Sequence, residues 1–273
     1  MDKELSKKAY QYRLDVLEMV VRARAGHIGS SMSCLDILTV LYGAVMDTSK
    51  IKAGLPDRDR FIMSKGHAAE ALYAVLADHG FFPKEMLSTF STYDTCLAGH
   101  PIPGVPGVEA ATGALGHGLS VGVGMAIGLK ADQSHARVYV LLGDGEMAEG
   151  SIWEALMAAA KYRLDNLCAI IDRNRLQISG NTEEVMPLLD LSSKITTFGW
   201  DCRHVDGHDA QALRMALSGD LPVGRPLALL ADTVKGRGSE LMEDKAGWHH
   251  RIPDDEEYRQ IKAELVKRRD GGG

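Results

Sequence analysis

Val138-Tyr139-Val140-Leu141-Leu142-Gly143-Asp144-Gly145 and, further on, Leu167-Cys168-Ala169-Ile170-Ile171-Asp172-Arg173-Asn174 decide how this chain folds. Each opens with an apolar run of strand length, and residues 149 to 162 between them carry helical spacing. Strand, helix, strand within this length is a right-handed crossover that joins two parallel strands. Asp144 and Asn174 then stand just past the carboxyl ends of neighbouring strands, which is where open α/β sheets bind ligands. Their separation, 174 − 144 = 30 positions, is one crossover.

Outward from this unit the pattern continues. Residues 5 to about 24 read as a helix with Leu14, Leu17 and Val21 on one stripe and Gly26 as its stop. Ser33 with Asp36 reads as a capping box that opens a second helix running to Tyr42. Residues 60–64 read as a buried strand that leads through Gly66-His67 into an alanine-rich helix toward Asp78, placing His67 at a strand's carboxyl end. Three prolines and two glycines between 97 and 106 predict a surface loop. Residues 118–130 read as a small-residue helix whose Gly122, Gly124 and Gly128 permit close packing, so it is expected to be buried at an interface. A last strand at 227–231, a charged helix at about 254–269 and a loose tail at 271–273 complete the chain. The expectation is a three-layer α/β/α fold with a mainly parallel central sheet. It forms a single domain over 1–273, with a helical amino-terminal segment over 1–45.

Composition bounds the function. Hydrophobic residues make up 45% of 273, enough to bury a sizeable core. Charged residues at 25%, a formal net charge of −6 and the lack of any basic run argue against a nucleic-acid partner. Apolar stretches such as 138–142 and 227–231 are too short to cross a bilayer, so no membrane partner and a cytoplasmic location are expected. Cys34, Cys96, Cys168 and Cys202 are scattered without a close pair, which favours reduced thiols over a zinc site or disulfides.

Asp144 and Asn174 offer hard oxygen ligands, and a backbone carbonyl near Leu176 could supply a third, leaving room for phosphate oxygens around an octahedral magnesium ion. The glycines flanking Asp144 let the backbone come close to a phosphate. A carboxylate beside a diphosphate without a metal would face repulsion of roughly 4 kcal/mol per charge pair at about 4 Å and an effective dielectric near 20. Phosphate here therefore implies a divalent cation. Gly-Asp-Gly alone could be a tight turn; paired with Asn174 one crossover later, it points to metal and diphosphate.

Gly143-Asp144-Gly145 followed by Asn174 resembles the thiamin diphosphate signature. Its surroundings resemble the transketolase family: Gly26-His27, Ser64-Lys65-Gly66-His67-Ala68, Gly99-His100-Pro101, and the run from Pro106 through Gly113-Ala114-Leu115-Gly116-His117-Gly118. The likeness runs from about 25 to 253. It implies that Asp144, Asn174 and the backbone oxygen of Leu176 hold magnesium. By the same resemblance Gly145 and Gly116 meet the cofactor's diphosphate and aminopyrimidine through their backbones, and Leu115 presses on it to keep its bent shape. Gly113 belongs to the same cofactor-binding run. His27, His67 and His100 would surround the reacting carbon and the ketose hydroxyls, with His67 also touching cofactor. Glu149 matches an acidic position near the subunit interface that takes part in cofactor-linked hydrogen bonding. The stretch from Lys235-Gly236-Arg237-Gly238 to Trp248-His249-His250 resembles a loop that covers the cofactor and brings in a histidine, His249 or alternatively His250. Trp248 could anchor a partner or simply pack.

Histidine suits this chemistry, because ketol transfer moves protons on and off sugar hydroxyls beside a carbanion that the cofactor stabilises. His79, His135 and His204 read as ordinary surface or core histidines. His208, in Val205-Asp206-Gly207-His208-Asp209, reads as structural, and His117 as adjacent to the cofactor without a catalytic role.

No segment corresponds to the family's second and third domains, the former of which supplies a glutamate to the aminopyrimidine. The resemblance thus implies the amino-terminal subunit of a split transketolase. It would move a two-carbon ketol unit from a ketose phosphate to an aldose phosphate, together with a separate carboxyl-terminal subunit in an α2β2 tetramer. Alternatives are a non-catalytic regulatory homologue and a specialised or 1-deoxyxylulose-5-phosphate synthase-like enzyme subunit. Nicotinamide dinucleotide binding at Gly122 and Gly124 fails, since those glycines lie inside a helix pattern.

Overall fold

A computed structural model describes residues 1–219 and 222–271; residues 272 and 273 of the expected tail lie outside the described residues. In chain order the elements are α1 (Asp2–Ala23), α2 (Ile28–Val40), α3 (Thr48–Lys52), β1 (Arg60–Met63), α4 (Ala69–Asp78), α5 (His117–Ala131), β2 (Val138–Gly143) and α6 (Gly150–Lys161). They continue with β3 (Leu167–Arg173), α7 (Thr182–Val185), α8 (Leu191–Thr197), β4 (Asp201–Asp206), α9 (Ala210–Ser218), β5 (Leu227–Asp232) and α10 (Asp255–Arg269).

The strands form one sheet in the order β1-β2-β3-β5-β4, and every pairing is parallel. Gly143 pairs with Asp172 at the carboxyl ends of β2 and β3, so Asp144 and Asn174 leave the sheet side by side. Strand side chains alternate between two cores. Tyr139, Leu141, Cys168, Ile170, Leu227 and Leu229 face a layer built from α1, α2, α4, α9 and α10. Val138, Val140, Leu142, Ala169, Ile171 and Leu230 face α5, α6 and α8. These are the three layers that the alternation of strand and helix patterns predicts.

Three details depart from the sequence reading. First, α2 begins at Ile28, five residues before the supposed capping box. Ser33 lies inside it and donates to Ser30 O and Asp172, while Asp36 pairs with Arg13. The N-cap residue is His27, held in place from another helix: the buried Glu70 carboxylate accepts from His27 N at 2.8 Å and from Ser31 Oγ at 2.8 Å. Gly26 makes this possible, since a Cβ there would sit 2.4 Å from Glu70 Oε1; the α1 stop itself is Arg24, in the left-handed conformation.

Second, the helical run Ile28–Val45 is apolar and long enough to cross a bilayer by length and composition, unlike the short runs weighed above, but 83% of it is buried in the fold. Third, β4 escaped notice because Asp-Cys-Arg-His-Val-Asp is a partly exposed edge strand with little apolar content. The glycines of α5 also divide. Gly122 packs against Val140, whereas Gly124 and Gly128 face open space.

Within the α1/α2 layer, Arg13 is fully buried and meets Asp36 at 2.5 Å. Removing one partner strands a buried charge. Arg13→Met should therefore cost about 3 kcal/mol in chemical denaturation, with part of the loss recovered in the double variant Arg13→Met/Asp36→Leu.

Candidate active site

A cavity of about 380 Å³ opens at the carboxyl ends of β1, β2 and β3. Its lining brings together residues far apart in sequence: His27, His67, His100, Gly113, Leu115, Asp144, Gly145, Asn174, Leu176 and His249. A larger hollow of about 840 Å³ lies beyond β4 and β5 and shares only Asn174 and Leu176 with it. None of the four convergent histidines lines that hollow, so the chemistry belongs to the smaller cavity.

At one end is an oxygen set. Asp144, 3% exposed, accepts from Gly145 N at 2.8 Å and Arg175 N at 2.6 Å, which aims its carboxylate across the gap between β2 and β3. Asn174 Oδ1 accepts from Leu176 N at 3.2 Å. Leu176 O accepts from the Lys235 ammonium at 3.0 Å, so a positive charge already rests on this carbonyl. One carboxylate, one amide and one backbone carbonyl form a hard donor set that suits a small divalent cation with phosphate oxygens completing its shell. Burial, and next the Asp172 charge, push Asp144 up to about 6.

At the other end stand the imidazoles. The ring of His27 lies 5.3 Å from His67, 5.4 Å from His249 and 6.1 Å from His100, and His67 lies 5.4 Å from His249. Burial depresses all four: His27 to about 4, His67 to about 2, His249 to about 3, and His100 in the same direction. The charges of Lys65 on His67 and of Lys235 on His249 act the same way. At neutral pH each ring is therefore uncharged and can both donate and accept. Lys235 Nζ contacts His249 Nδ1 at 2.8 Å, making that nitrogen the acceptor and leaving the proton on Nε2. Of the two candidate histidines, His249 lines the cavity; His250 is exposed at its rim with its ring 4.5 Å from His27.

Two buried polar atoms at this cavity, His27 Nδ1 and Gln177 Nε2, have no hydrogen-bond partner among the described residues. Buried polar atoms are nearly always paired, so an unpaired donor and ring nitrogen on residues lining one cavity call for a polar ligand. A cofactor with a diphosphate at one end and a nitrogen heterocycle at the other fits this arrangement.

Gly116, with φ 86, is buried one residue beyond Leu115 and is not part of the lining. Glu149 is exposed at the start of α6, outside the cavity lining that the described residues form. Besides Asp144, the acidic residue in the lining is Glu146, three positions earlier. His117 is exposed outside the lining, and Trp248 is 3% exposed, packed in the core with the Arg251 guanidinium 4.6 Å over its ring. His208 proves structural: its Nδ1 meets Asp36 Oδ2 at 2.7 Å and its Nε2 accepts from Val234 N at 2.8 Å. Ser30, Lys65, Glu146, Gln177 and Lys235 also line the cavity and were missed as site residues. Lys65 adjoins His67 in the quoted strand-end run, a signal that could have marked it.

With this geometry in place, the class is clear: a parallel α/β domain built to hold a thiamin diphosphate cofactor at its strand ends. Residues 5–268 match the transketolase thiamine diphosphate binding domain. The chain is 49% identical over 257 residues to a subunit of the apulose-4-phosphate transketolase of Phocaeicola vulgatus, covering 94% of this chain and 92% of that one. It is 38% identical over 266 residues to the 6-deoxy-6-sulfo-D-fructose transketolase subunit SqwG of a Clostridium species, covering 97% of each. Among solved structures, transketolase from Leishmania mexicana superposes with a TM-score of 0.86 at 30% identity, covering 96% of this chain and 41% of that one. The chain belongs to the transketolase family, as one polypeptide of a thiamin diphosphate-dependent enzyme.

The depressed histidines have a thermodynamic consequence. Their unfolded forms take up protons below the ordinary value of 6.5, while the folded forms do not until about 4 for His27 and about 2 for His67. Stability is thus full above pH 6.5 and is lost as pH falls toward those values. The thermal midpoint should drop between about pH 7 and pH 5, and His67→Gln should flatten that drop; an equally steep drop in the variant would count against neutral burial.

Proposed function

We propose that this chain is the amino-terminal subunit of a two-subunit transketolase that moves a two-carbon ketol unit from a ketose phosphate to an aldose phosphate. The observation that carries the proposal is the convergence of four neutral imidazoles on one cavity whose other end is a hard oxygen set. Asp144, Asn174 and Leu176 O would hold magnesium, with the Lys235 ammonium withdrawing from Leu176 O toward the diphosphate. Gly145 would meet the diphosphate, and Gly113 and Leu115 the ring portion. When bound, thiamin diphosphate supplies a carbon nucleophile and an electron sink for the transferred unit. His27, His67, His100 and His249 would bind and orient the sugar hydroxyls and carry protons to and from them. Their lowered pKa values keep each ring neutral, able to donate at one nitrogen and accept at the other.

A separate carboxyl-terminal subunit is supported by relatives that are themselves named as transketolase subunits and match this chain over nearly their whole length. An apolar side chain left exposed at the cavity also fits a partner: Ile178, at 74%. An α2β2 assembly would cover the open Gly124 and Gly128 face of α5 as well. Four unpaired cysteines suit the cytoplasm.

The test mixes the purified chain with its candidate carboxyl-terminal subunit, thiamin diphosphate and magnesium, and follows ketol transfer between sugar phosphates. Transfer should need both polypeptides; transfer by this chain alone would refute the two-subunit reading. In the assembled complex, Asp144→Ala should abolish magnesium-dependent cofactor retention by calorimetry.

A further inference from the structure

Glu146 is 2% exposed, yet it makes no ion pair among the described residues. Burying a carboxylate without a counter-charge is unfavourable unless hydrogen bonds replace its water. Here three do, each from a different segment of the cavity wall. The Ser64 hydroxyl, just past β1, donates to Oε1. Gly116 N, in the turn before α5, donates to the same oxygen at 2.9 Å, and Gly143 N, at the end of β2, donates to Oε2 at 3.1 Å. The other side of Gly116 is held too, its carbonyl accepting from Ser151 Oγ at 3.0 Å. Burial raises the Glu146 pKa, and the three donors oppose that rise.

We propose that Glu146 is a positioning residue that locks two cofactor-binding segments to each other. Its single carboxylate fixes the distance between the Gly116 peptide, which carries the cavity-lining Leu115 toward the ring portion of the cofactor, and the Gly143-Asp144-Gly145 turn, which serves the diphosphate. The assignment of those two segments rests on the proposed function; the clamp itself is read from the hydrogen bonds. An ionised carboxylate accepts at both oxygens, whereas an amide accepts at only one. In Glu146→Gln the side-chain NH2 can turn to Ser64, whose hydroxyl then accepts, while Oε1 of the glutamine keeps Gly143 N. Gly116 N is the group left without an acceptor.

Two measurements follow. Hydrogen exchange on the full chain should show the Gly116 amide of Glu146→Gln exchanging at least about tenfold faster, with the Gly143 amide and the β3 amides unchanged. Calorimetry with magnesium should show thiamin diphosphate binding weakened about tenfold, with inorganic pyrophosphate, which reports the diphosphate end alone, bound as by the parent chain. Unchanged Gly116 exchange would overturn the clamp. Equal weakening toward both probes would also overturn it, because that is the mark of a general loss of structure. If Glu146→Gln does not fold, Glu146→Asp carries the test. It keeps the charge, but the shorter side chain serves its sequence neighbour Gly143 N and no longer reaches Gly116 N. Faster Gly116 exchange is then expected, and unchanged exchange contradicts. Both titrations use the complex with the carboxyl-terminal subunit; a parent complex that binds neither probe would count against the cofactor site, while the exchange measurement still decides the clamp.

Discussion

The carboxylate of Asp172 is the point to which the rest of the site is tied. It is fully buried at the end of β3 and forms a tight ion pair with Lys65, from the turn after β1. It also accepts from Ser33 Oγ in α2 at 2.6 Å and from Thr233 at the end of β5. Lys65 in turn donates to Ser30 O at 2.9 Å. Four segments therefore meet on one side chain in a medium where unpaired charge is costly, which makes their relative placement close to all-or-none. Burial works against both charges, yet each partner holds the other ionised: Asp172 is lowered and Lys65 raised.

Function follows from where that knot lies. The backbone of Asp172 accepts from Asp144 N at 3.2 Å, so the knot also sets the spacing of the two turns that carry Asp144 and Asn174. Ser30 and Ser33 fix the start of α2, and with it His27, whose own amide is held by Glu70. The oxygen set and the imidazole cluster are thus opposite ends of one rigid frame, which is what proton transfer next to an anchored cofactor requires.

Much of this was legible in sequence. Apolar runs of strand length, a crossover of ordinary length and Gly-Asp-Gly at a strand end placed β2, α6, β3, Asp144 and Asn174 correctly, because local pattern and global fold agree there. What was illegible depends on contacts between distant segments. Nothing in the spacing of Ser33 and Asp36 separates a capping box from two buried polar residues whose partners are Asp172 and Arg13. β4 hid because an edge strand need not look apolar. Glu146 and Glu149 sit in the same Gly145-to-Gly150 stretch, and only the turn between them decides which carboxylate points inward. Within this chain Glu146 is buried in the cavity wall, while Glu149 stands exposed at the start of α6.

The central claim is that Asp144, Asn174 and the Leu176 carbonyl jointly hold the cation that anchors the cofactor. Crystals grown with thiamin diphosphate and manganese in place of magnesium test it directly through the metal's anomalous signal. The account predicts one peak within bonding distance of those three oxygens with the diphosphate completing its shell. A peak elsewhere, or a diphosphate bound with the Asp144 and Asn174 side chains turned away from it, would contradict the account.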